Sequence, residues 1–537
     1  MNEFVAVCEK VAATRSKLAK VAMVAEYLDT LSLETLIVAA RFLTGSPLPA
    51  WGQSPLGTGY ASLRNATCRL AKCSPALFGQ ALLRHGDLGD ACQEVLEGHL
   101  PPRSSLSLLE VQAAFQEIAQ AQGTGRKDAI LEALLGRAAP LQAKYLAKLM
   151  TSELRIGLVE GLVEEAIAKM GGAAIEEVRR ARMLLGDMGQ TALLARQGRL
   201  EEARLRLFHP LGFMLASAVA SGQEAFKLLP GPALVEDKYD GIRAQVHKQG
   251  QRVAVYSRTL DEVSARFPEL LPDILALEGE FILDGEIAAY RQGRCLPFAL
   301  LQRRLGRKKV RPDLLEEVPV VYFAFDLLYL DRQLLLEQPL RRRRALLEGM
   351  GLSGRLLPSL ALETQTPEAW EEAFQEARSR GNEGLVIKDL ASPYAPGRRG
   401  QSWLKLKRPS ATLDVVVTAV EWGHGKRHHV LSDYTFAVRD GDQLKNIGKA
   451  YSGLTDVEIA QMTEWFVAHT LLDQGWRRLV EPAIVLEVAF DAVQPSARHE
   501  SGYALRFPRI LRLRPDKRVA DLSSLEEVRM LATRTGN

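Results

Sequence analysis

The sequence predicts a multidomain fold: an all-α N-terminal domain, an α+β middle domain and an all-β C-terminal domain. The chain of 537 residues is too long for a single hydrophobic core. Apolar residues recur at helical spacing in the first part, whereas short β-branched and aromatic runs between turns dominate the remainder. We therefore place the domains at residues 1–206, 207–409 and 410–537.

The N-terminal domain shows the helical pattern throughout. Leucines and other apolar residues are three or four positions apart over residues 131–149, as expected for the buried face of a helix. Paired glycines such as Gly171 and Gly172 are typical helix stops. Strand-like alternation is scarce here, so we expect helices.

The middle domain combines short strands with helices. Residues 368–380 have helical spacing. The β-branched or aromatic runs lie at residues 252–256, 281–283, 320–325 and 384–387. Because these runs are short and separated by turns, they favour mainly antiparallel sheet.

The C-terminal domain is rich in strands. Apolar runs occupy residues 414–420, 434–438 and 485–490, and an amphipathic helix is expected around residues 455–470. About five strands and a helix in a domain of this size fit a small Greek-key barrel of the OB type.

Composition narrows the class of protein. The net charge of +4 permits nucleic-acid binding without requiring it. Five scattered cysteines favour a reduced, cytoplasmic compartment over a disulfide framework, and their spacing disfavours a zinc site. The N-terminus lacks a secretory pattern, and no apolar run approaches about eighteen residues, so we expect an intracellular protein without a membrane partner.

Lys238 is the strongest candidate for a nucleophile. It follows an apolar run and precedes a turn at Asp240 and Gly241, and Arg243 returns close enough to hold an anion. An amine attacks phosphorus only when unprotonated, and burial or nearby cations lower the lysine pKa. A surface lysine on a strand rim is the alternative for such a short motif.

Other charged residues in the middle domain suit phosphoryl transfer. Glu286 ends one apolar strand and Glu383 begins another, and carboxylates are hard ligands suited to Mg²⁺. Lys405 and Lys407 share one face of an alternating strand, where an anion between them would relieve their repulsion. A solvated strand face is the alternative. The sequence contains no P-loop motif.

The motifs, taken in order, resemble those of ATP-dependent DNA ligases of the archaeal and eukaryotic replicative type, within the covalent nucleotidyltransferases. Residues 153–158 also resemble a segment of the ligase helical DNA-binding domain, so the resemblance covers essentially the whole chain. The matching segments are residues 238–243, 257–258 with 267–269, 284–286, 325–330, 383–388, 403–407 and 506–517.

The resemblance implies a fold and a set of roles. The middle domain becomes an adenylation domain with ATP-grasp-like antiparallel sheets, using ATP as cosubstrate and Mg²⁺ or Mn²⁺. Lys238 forms a lysyl-AMP intermediate, and the barrel residues act on the pyrophosphate leaving group. The implied catalytic residues are Lys238, Lys405, Lys407, Arg512, Asp516 and Lys517. The implied nucleotide-binding residues are Glu236, Arg243, Arg258, Glu286, Phe325, Lys405 and Lys407. The implied metal-associated carboxylates are Asp240, Glu286 and Glu383.

The implied partner is nicked double-stranded DNA, bound by a nucleoid-associated monomer. Arg258 is expected near the 5′-phosphate at the nick. Basic clusters are the candidate phosphate contacts, although such runs are usually solvated faces. The clusters lie at residues 303–304, 307–311, 341–344, 398–399 and 426–429. No segment supports a sliding-clamp interaction, and a role in replication, repair or recombination is not distinguished.

Two other classes of function share some of these features. An RNA ligase or an mRNA-capping guanylyltransferase would carry a similar lysine motif, but the helical N-terminal domain disfavours both. A non-catalytic nick-binding protein would be expected to have lost Lys238, Glu383 or Lys405, and all three are present. An NAD-dependent DNA ligase is disfavoured because the chain lacks a four-cysteine zinc cluster.

Overall fold

The computed structural model describes residues 1–49, 56–305, 307, 310–408, 411–423 and 427–535, with side chains to residue 532. The chain divides into two compact units. The first contains Met1–Leu82 and Leu88–Leu406, and the second contains Leu83–Asp87 and Lys407–Asn537. Within the described ranges, no helix is both long and apolar enough to cross a membrane.

The N-terminal region is helical, as predicted. Most of its helices bury one apolar face, and Phe4, Phe42 and Phe115 meet edge to face in the shared core. Serine side chains cap several N-termini, as Ser107 does by accepting a hydrogen bond from the Glu110 amide. The helices are α1 (Asn2–Ala13), α2 (Lys17–Asp29), α3 (Leu33–Leu43), α4 (Tyr60–Ala71), α5 (Pro75–His85), α6 (Leu88–Leu96), α7 (Leu108–Gln120), α8 (Thr124–Gly136), α9 (Pro140–Met150), α10 (Glu160–Gly171), α11 (Ile175–Leu185) and α12 (Met188–Arg196).

Two mainly antiparallel sheets follow, as the short alternating runs predicted. The first sheet has the order β1-β12-β11-β2-β10 and the second has the path β4-β3-β5-β7-β8, with β6 beside β5 and β9 beside β7. The strands of the first sheet are β1 (Leu215–Val219), β2 (Ala233–Lys238), β10 (Ala361–Thr364), β11 (Gly384–Asp389) and β12 (Arg399–Leu406). The strands of the second sheet are β3 (Ile242–Gln249), β4 (Arg252–Ser257), β5 (Phe281–Arg291), β6 (Arg294–Cys295), β7 (Val320–Leu330), β8 (Gln333–Leu334) and β9 (Leu356–Pro358).

Helices cover the outer faces of these sheets. Trp370 and Phe374 of one helix pack on the first sheet, and Ile274 and Leu347 of two others lie in the core of the second. The other face of each sheet is therefore left to line the space between the two sheets. The helices are α13 (Gly222–Leu228), α14 (Leu271–Ala276), α15 (Phe298–Gln302), α16 (Pro312–Glu317), α17 (Leu340–Glu348) and α18 (Pro367–Ser379).

The second unit is built on a curled antiparallel sheet with the path β15-β14-β13-β17-β16, in which β18 joins β13 to β21. Helix α19 (Asp456–Ala468) matches the predicted amphipathic helix. A further helix, α20 (Leu525–Thr535), was not predicted, so the description all-β is incomplete. The strands are β13 (Ala411–Trp422), β14 (Leu431–Asp440), β15 (Gln443–Ala450), β16 (Thr470–Asp473), β17 (Arg477–Val480), β18 (Val485–Phe490), β19 (Ala492–Pro495), β20 (Tyr503–Arg506) and β21 (Arg509–Leu513).

A buried histidine fixes the segment that leads from the helices into the sheets. The Nδ1 atom of His247 accepts a hydrogen bond from the Phe208 amide at 3.0 Å, so this nitrogen is unprotonated. Gln245 beside it bonds both backbone groups of Leu211, at 3.0 and 2.7 Å. Burial, with a smaller contribution from His209, lowers the pKa of His247 to about 3.

Stability is therefore expected to fall as the pH falls from 6.5 towards 3. The unfolded chain binds a proton at His247 in this window and the folded chain does not, so each pH unit costs about 1.4 kcal/mol. Above pH 6.5 both states are neutral and the contribution is constant. Urea unfolding of wild-type protein and His247→Asn between pH 5 and 8 measures the effect, and identical pH dependence in the two proteins would contradict it.

Candidate functional site

The inner faces of the two sheets bring the sequence motifs of the middle region together. In the first sheet, Glu236 of β2 lies opposite Val386 of β11, which lies opposite Lys405 of β12. Lys238 shares the face of Glu236, because alternate strand residues point the same way. In the second sheet, Arg243 of β3 lies opposite Glu286 of β5. The register thus places Glu236, Lys238 and Lys405 on one face of the first sheet, and Arg243 and Glu286 on one face of the second.

Lys238 stands at the rim of this space, at the end of β2. Its Nζ atom donates a hydrogen bond to Oε2 of Glu383, and its side chain remains 25% exposed. The structure thus places a carboxylate directly against this amine. Gly241 permits the turn that follows, because a Cβ there would lie 2.3 Å from the Ile287 carbonyl oxygen.

On the opposite face of the first sheet, Asp237 binds Arg380 and Asn382, and these contacts, here called the clasp, link the strand of Lys238 to the segment of Glu383. Asp237, next to Lys238, accepts two hydrogen bonds from Arg380, each of 2.8 Å. It also accepts one of 2.7 Å from Asn382, the residue before Glu383. The Glu383 amide donates to the Lys238 carbonyl at 2.9 Å. Sequence reasoning missed this clasp, because Asp237 and Asn382 are 145 positions apart.

Arg243 is anchored within the site. It donates to both oxygens of Asp284, at 3.1 and 2.7 Å, and Asp284 is fully buried. The Tyr394 hydroxyl donates to the same carboxylate at 2.6 Å. Burial lowers the pKa of Arg243, but the charge and hydrogen bonds of Asp284, together with Tyr394 and Glu286, more than offset it and keep the pKa above its usual value. Asp284 therefore orients Arg243. The other carboxyl of the 284–286 motif, Glu286, is close enough to Lys238 for the lysine charge to lower its pKa.

Glu286 is a buried carboxyl whose pKa is raised well above its usual value. Burial raises its pKa to about 8, and the negative charges of Glu383 and Asp284 act in the same direction. The positive charges of Lys238 and Arg243 oppose this rise. The negative charge of Glu383 so close to Glu286 makes this a suitable environment for a bound cation.

The metal prediction for Asp240, Glu286 and Glu383 stays a prediction. Within the residues that the structure describes, no group of three or more histidine, cysteine, aspartate or glutamate side chains is arranged to hold a metal ion. Asp240 is half-buried in the turn after β2. Glu286 and Glu383 are coupled electrostatically, so the protein offers a pair of carboxylates, to which substrate oxygens could add.

Aromatic rings line the same space. Phe325 is half-buried, with the ring of Trp403 at 6.2 Å edge to face and the Arg243 guanidinium 5.3 Å from its ring centroid. Phe323, two residues earlier, is buried and stacked on Tyr239 at 4.0 Å. Phe325 is therefore the ring of this pair with surface left for a planar ligand.

Glu236 lies deeper in the space and is 3% exposed. Lys388 of β11 forms an ion pair with its Oε2 atom, and Arg344 of α17 lies 3.3 Å from its Oε1 atom. Burial lowers the pKa of Lys388, which the negative charges of Glu236 and Asp326 oppose. Sequence reasoning singled out Glu236 but missed both cations.

The remaining predicted catalytic residues belong to the second unit, where each is ion-paired. Lys407 lies one residue past the end of β12, with its Nζ atom 2.8 Å from Asp491. Arg512 bonds Glu487 at 2.7 Å and Lys517 bonds Asp414 at 2.6 Å. Asp516 accepts a hydrogen bond from Arg514, which lowers the pKa of its carboxyl to about 2.

The basic clusters divide between surface and core. Arg258 follows β4 and is exposed, as are Arg341, Arg342, Arg398 and Arg399. Arg304, Arg343 and Arg344 are buried in ion pairs with Glu269, Asp326 and Glu236, so they are not available to DNA. Lys308, Lys309 and Lys426 lie outside the described residues.

Family models match three segments of the chain. Residues 1–168 match the model described as DNA ligase N terminus. Residues 213–407 match ATP dependent DNA ligase domain, and residues 427–517 match ATP dependent DNA ligase C terminal region.

Relatives match over nearly the full length. A probable DNA ligase of Koribacter versatilis is 51% identical, covering 97% of this chain and 94% of the relative. A DNA ligase of Archaeoglobus fulgidus is 35% identical, covering 98% of each. The solved structure named Pmar-Lig_PreS3 covers 95% of this chain and 99% of its own, with a TM-score of 0.61 at 17% identity, which supports the fold.

Proposed function

This chain belongs to the family of ATP-dependent DNA ligases, and from that premise we propose that Lys238 is the amine that carries AMP from ATP to DNA. In the first step its Nζ atom bonds to the α-phosphorus of ATP and pyrophosphate leaves. In the second, AMP moves to the 5′-phosphate at a nick and the lysine is released. In the third, the 3′-hydroxyl attacks that phosphate, the phosphodiester forms and AMP departs.

The observation that carries this proposal is the position of Lys238. Its amine lies at the rim of the space between the sheets, partly exposed and held by Glu383. Lys405 lies on the same face of the first sheet, two strands away from Glu236. Fixed positive charge there would stabilise the developing charge on the α-phosphate.

The nucleotide roles follow from the same arrangement. Glu236 and Phe325 would seat adenine, with Phe325 stacking on the base. Arg243 and Glu286 would line the sugar and phosphate side, and Arg258 would meet the 5′-phosphate of the nick. Lys407 would assist Lys405. Arg512, Asp516 and Lys517 would orient the pyrophosphate in the first step.

A divalent cation, Mg²⁺ or Mn²⁺, would be held by Glu383 and Glu286, with Asp240, and by phosphate oxygens. When bound, it supplies positive charge that neutralises the phosphates. The raised pKa of Glu286 supports this, because carboxylates that repel each other in a buried site gain most from a cation. Its own proton would be lost on binding.

Nicked duplex DNA would be bound by a monomer, through all three domains. We propose the boundaries 1–206, 207–409 and 410–537, with an ATP-grasp-like middle domain and an OB-type barrel at the C-terminus. The curled antiparallel sheet of β13 to β18 supports the barrel. The helical N-terminal region supports DNA binding over the capping and RNA-ligase alternatives.

Incubation with ATP labelled at the α-phosphate, followed by denaturing electrophoresis, tests the proposal. Wild-type protein should retain label with Mg²⁺, and GTP should label it poorly if the enzyme is not a capping guanylyltransferase. Sealing of nicked duplexes with DNA or RNA at the junction then separates DNA from RNA ligase. Absence of both labelling and sealing would contradict the proposal and favour a nick-binding protein.

Weakening the clasp beside Lys238 should slow the first step, the transfer of AMP from ATP to the lysine. Asp237→Asn removes the negative charge that holds Arg380. The segment that carries Glu383 is then less firmly fixed relative to Lys238. We expect lysine labelling to slow by roughly tenfold to a hundredfold at saturating ATP. Single-turnover labelling measures this rate.

Glu376→Gln is the matched control for the clasp. Glu376 contacts the same Arg380 at 3.4 Å but its side chain is 69% exposed, so this change should leave the rate within about twofold. Equal rates for Asp237→Asn and wild type would show that the clasp does not position the lysine.

A further inference from the structure

Lys388 is a buried lysine that the reaction steps above do not use. It is 1% exposed, on the inner face of the first sheet, directly opposite Trp403 of the neighbouring strand. Its Nζ atom lies 4.4 Å from the ring centroid of Phe325 and 4.3 Å from that of Trp403. The same ammonium pairs with Oε2 of Glu236. One cation therefore touches both residues proposed to seat the base.

A second cation completes the surroundings of Glu236. Arg344 lies 3.3 Å from Oε1 of Glu236, and it is itself fixed by hydrogen bonds to the hydroxyl and carbonyl of Ser359, at 2.7 and 2.8 Å. Glu236 thus has one positive group against each carboxylate oxygen, and its side chain is buried. Such an arrangement fixes the position of both carboxylate oxygens, because a cation anchors each of them.

The hydrogen-bonding capacity of the Glu236 carboxylate decides which base it can accept. A carboxylate only accepts hydrogen bonds. A 6-aminopurine presents donor hydrogens at position 6, and a 6-oxopurine presents an acceptor there. The Glu236 carboxylate, held by two cations, therefore accepts a hydrogen bond from the first and repels the second. A site whose buried polar group is left unpaired rejects the wrong ligand strongly.

We propose that Lys388 is a specificity-determining residue, which with Arg344 holds the Glu236 carboxylate in place as a hydrogen-bond acceptor and so selects 6-aminopurine over 6-oxopurine nucleoside triphosphates. This rests on the proposed seating of adenine at Glu236 and Phe325. Lys388 does not contact the base in this proposal but positions Glu236, which does. Loss of its charge leaves Oε2 of Glu236 without its anchor, so that the carboxylate no longer holds a fixed acceptor towards position 6 of the base.

The test compares ATP with inosine triphosphate, which differs at the purine only by a 6-oxo group in place of the 6-amino group. Both are labelled at the α-phosphate, and single-turnover labelling gives kcat/KM for the lysine adduct with each. Wild-type protein should prefer ATP. Lys388→Met removes the ammonium at similar length, and the preference should fall by on the order of tenfold or more.

Lys248→Met is the matched control. Lys248 is also a buried lysine, 6% exposed, that lies 5.7 Å from the ring centroid of Phe281 and donates to the Gly279 carbonyl. It has no part in the proposed site, so its replacement should leave the preference unchanged. Thermal melting of each variant verifies folding. Arg344→Met is a second route, which should move the preference in the same direction should Lys388→Met fail to fold.

Each outcome is decisive. A lower preference in Lys388→Met or Arg344→Met, with an unchanged preference in Lys248→Met, supports the proposal. An unchanged preference in the folded variants, or an equal loss with both nucleotides, overturns it and leaves Lys388 a structural residue. Absence of label on wild-type protein with ATP would instead overturn the proposed lysine chemistry, which separates the two failures.

Discussion

Lys238→Ala is expected to lose all detectable labelling by ATP. The covalent adduct needs an amine at this position, and removal of an enzyme's nucleophile lowers the rate of its step by on the order of a millionfold. Lys405 and Lys407 cannot replace it, because Lys405 lies on a different strand and Lys407 is paired with Asp491 beyond the strand end. Single-turnover labelling with α-labelled ATP measures the loss.

A nick that already carries AMP provides the control for this variant. Such a substrate needs only the third step, in which no new bond to lysine is made, so Lys238→Ala should still seal it within roughly tenfold of the wild-type rate. Loss of both reactions would point to a folding defect, which circular dichroism would detect. Normal labelling of Lys238→Ala would contradict its assignment as the nucleophile.

Arg343→Met is expected to give the largest loss of stability, about 3–5 kcal/mol. Arg343 and Asp326 are both fully buried and joined by two hydrogen bonds, of 2.7 and 2.9 Å. Removal of the arginine leaves a buried carboxylate without its countercharge. Arg343 also donates to the backbone carbonyls of Gln338 and Ser392, which would lose a partner. Urea unfolding at neutral pH measures the change.

Arg342→Met is the matched control, because the neighbouring residue of the same helix is exposed. It should change stability by less than about 0.5 kcal/mol. The double variant Asp326→Leu with Arg343→Met should recover much of the loss, since it removes both charges together. Equal stability of Arg342→Met and Arg343→Met would show that the buried pair contributes little.

Local patterns predicted the parts of the site that are contiguous in sequence. Lys238 was identified because an apolar strand, a nucleophile and a turn follow one another within a few residues. The alternation of Lys405 and Lys407 was equally visible, but β12 ends at Leu406, and Lys407 belongs to the second unit. Periodicity does not reveal where a strand stops when no turn residue marks the end.

Contacts between distant residues could not be predicted from the sequence. The pair of Lys388 with Glu236 and the clasp of Asp237 with Asn382 join strands that are far apart in the chain. For a related reason, the sequence does not show which of the four arginines at residues 341–344 are buried and which are exposed. A helix places two of them in the core and two in solvent, and only the packing of α17 decides which.

Peptide mapping by mass spectrometry, after incubation of the full chain with ATP and Mg²⁺, tests the lysine chemistry most directly. One AMP should be found per chain, joined to the peptide that contains Lys238 and released by acid, as expected for a bond between nitrogen and phosphorus. AMP on any other residue, or no adduct with either Mg²⁺ or Mn²⁺, would contradict the assignment of Lys238 as the carrier of AMP.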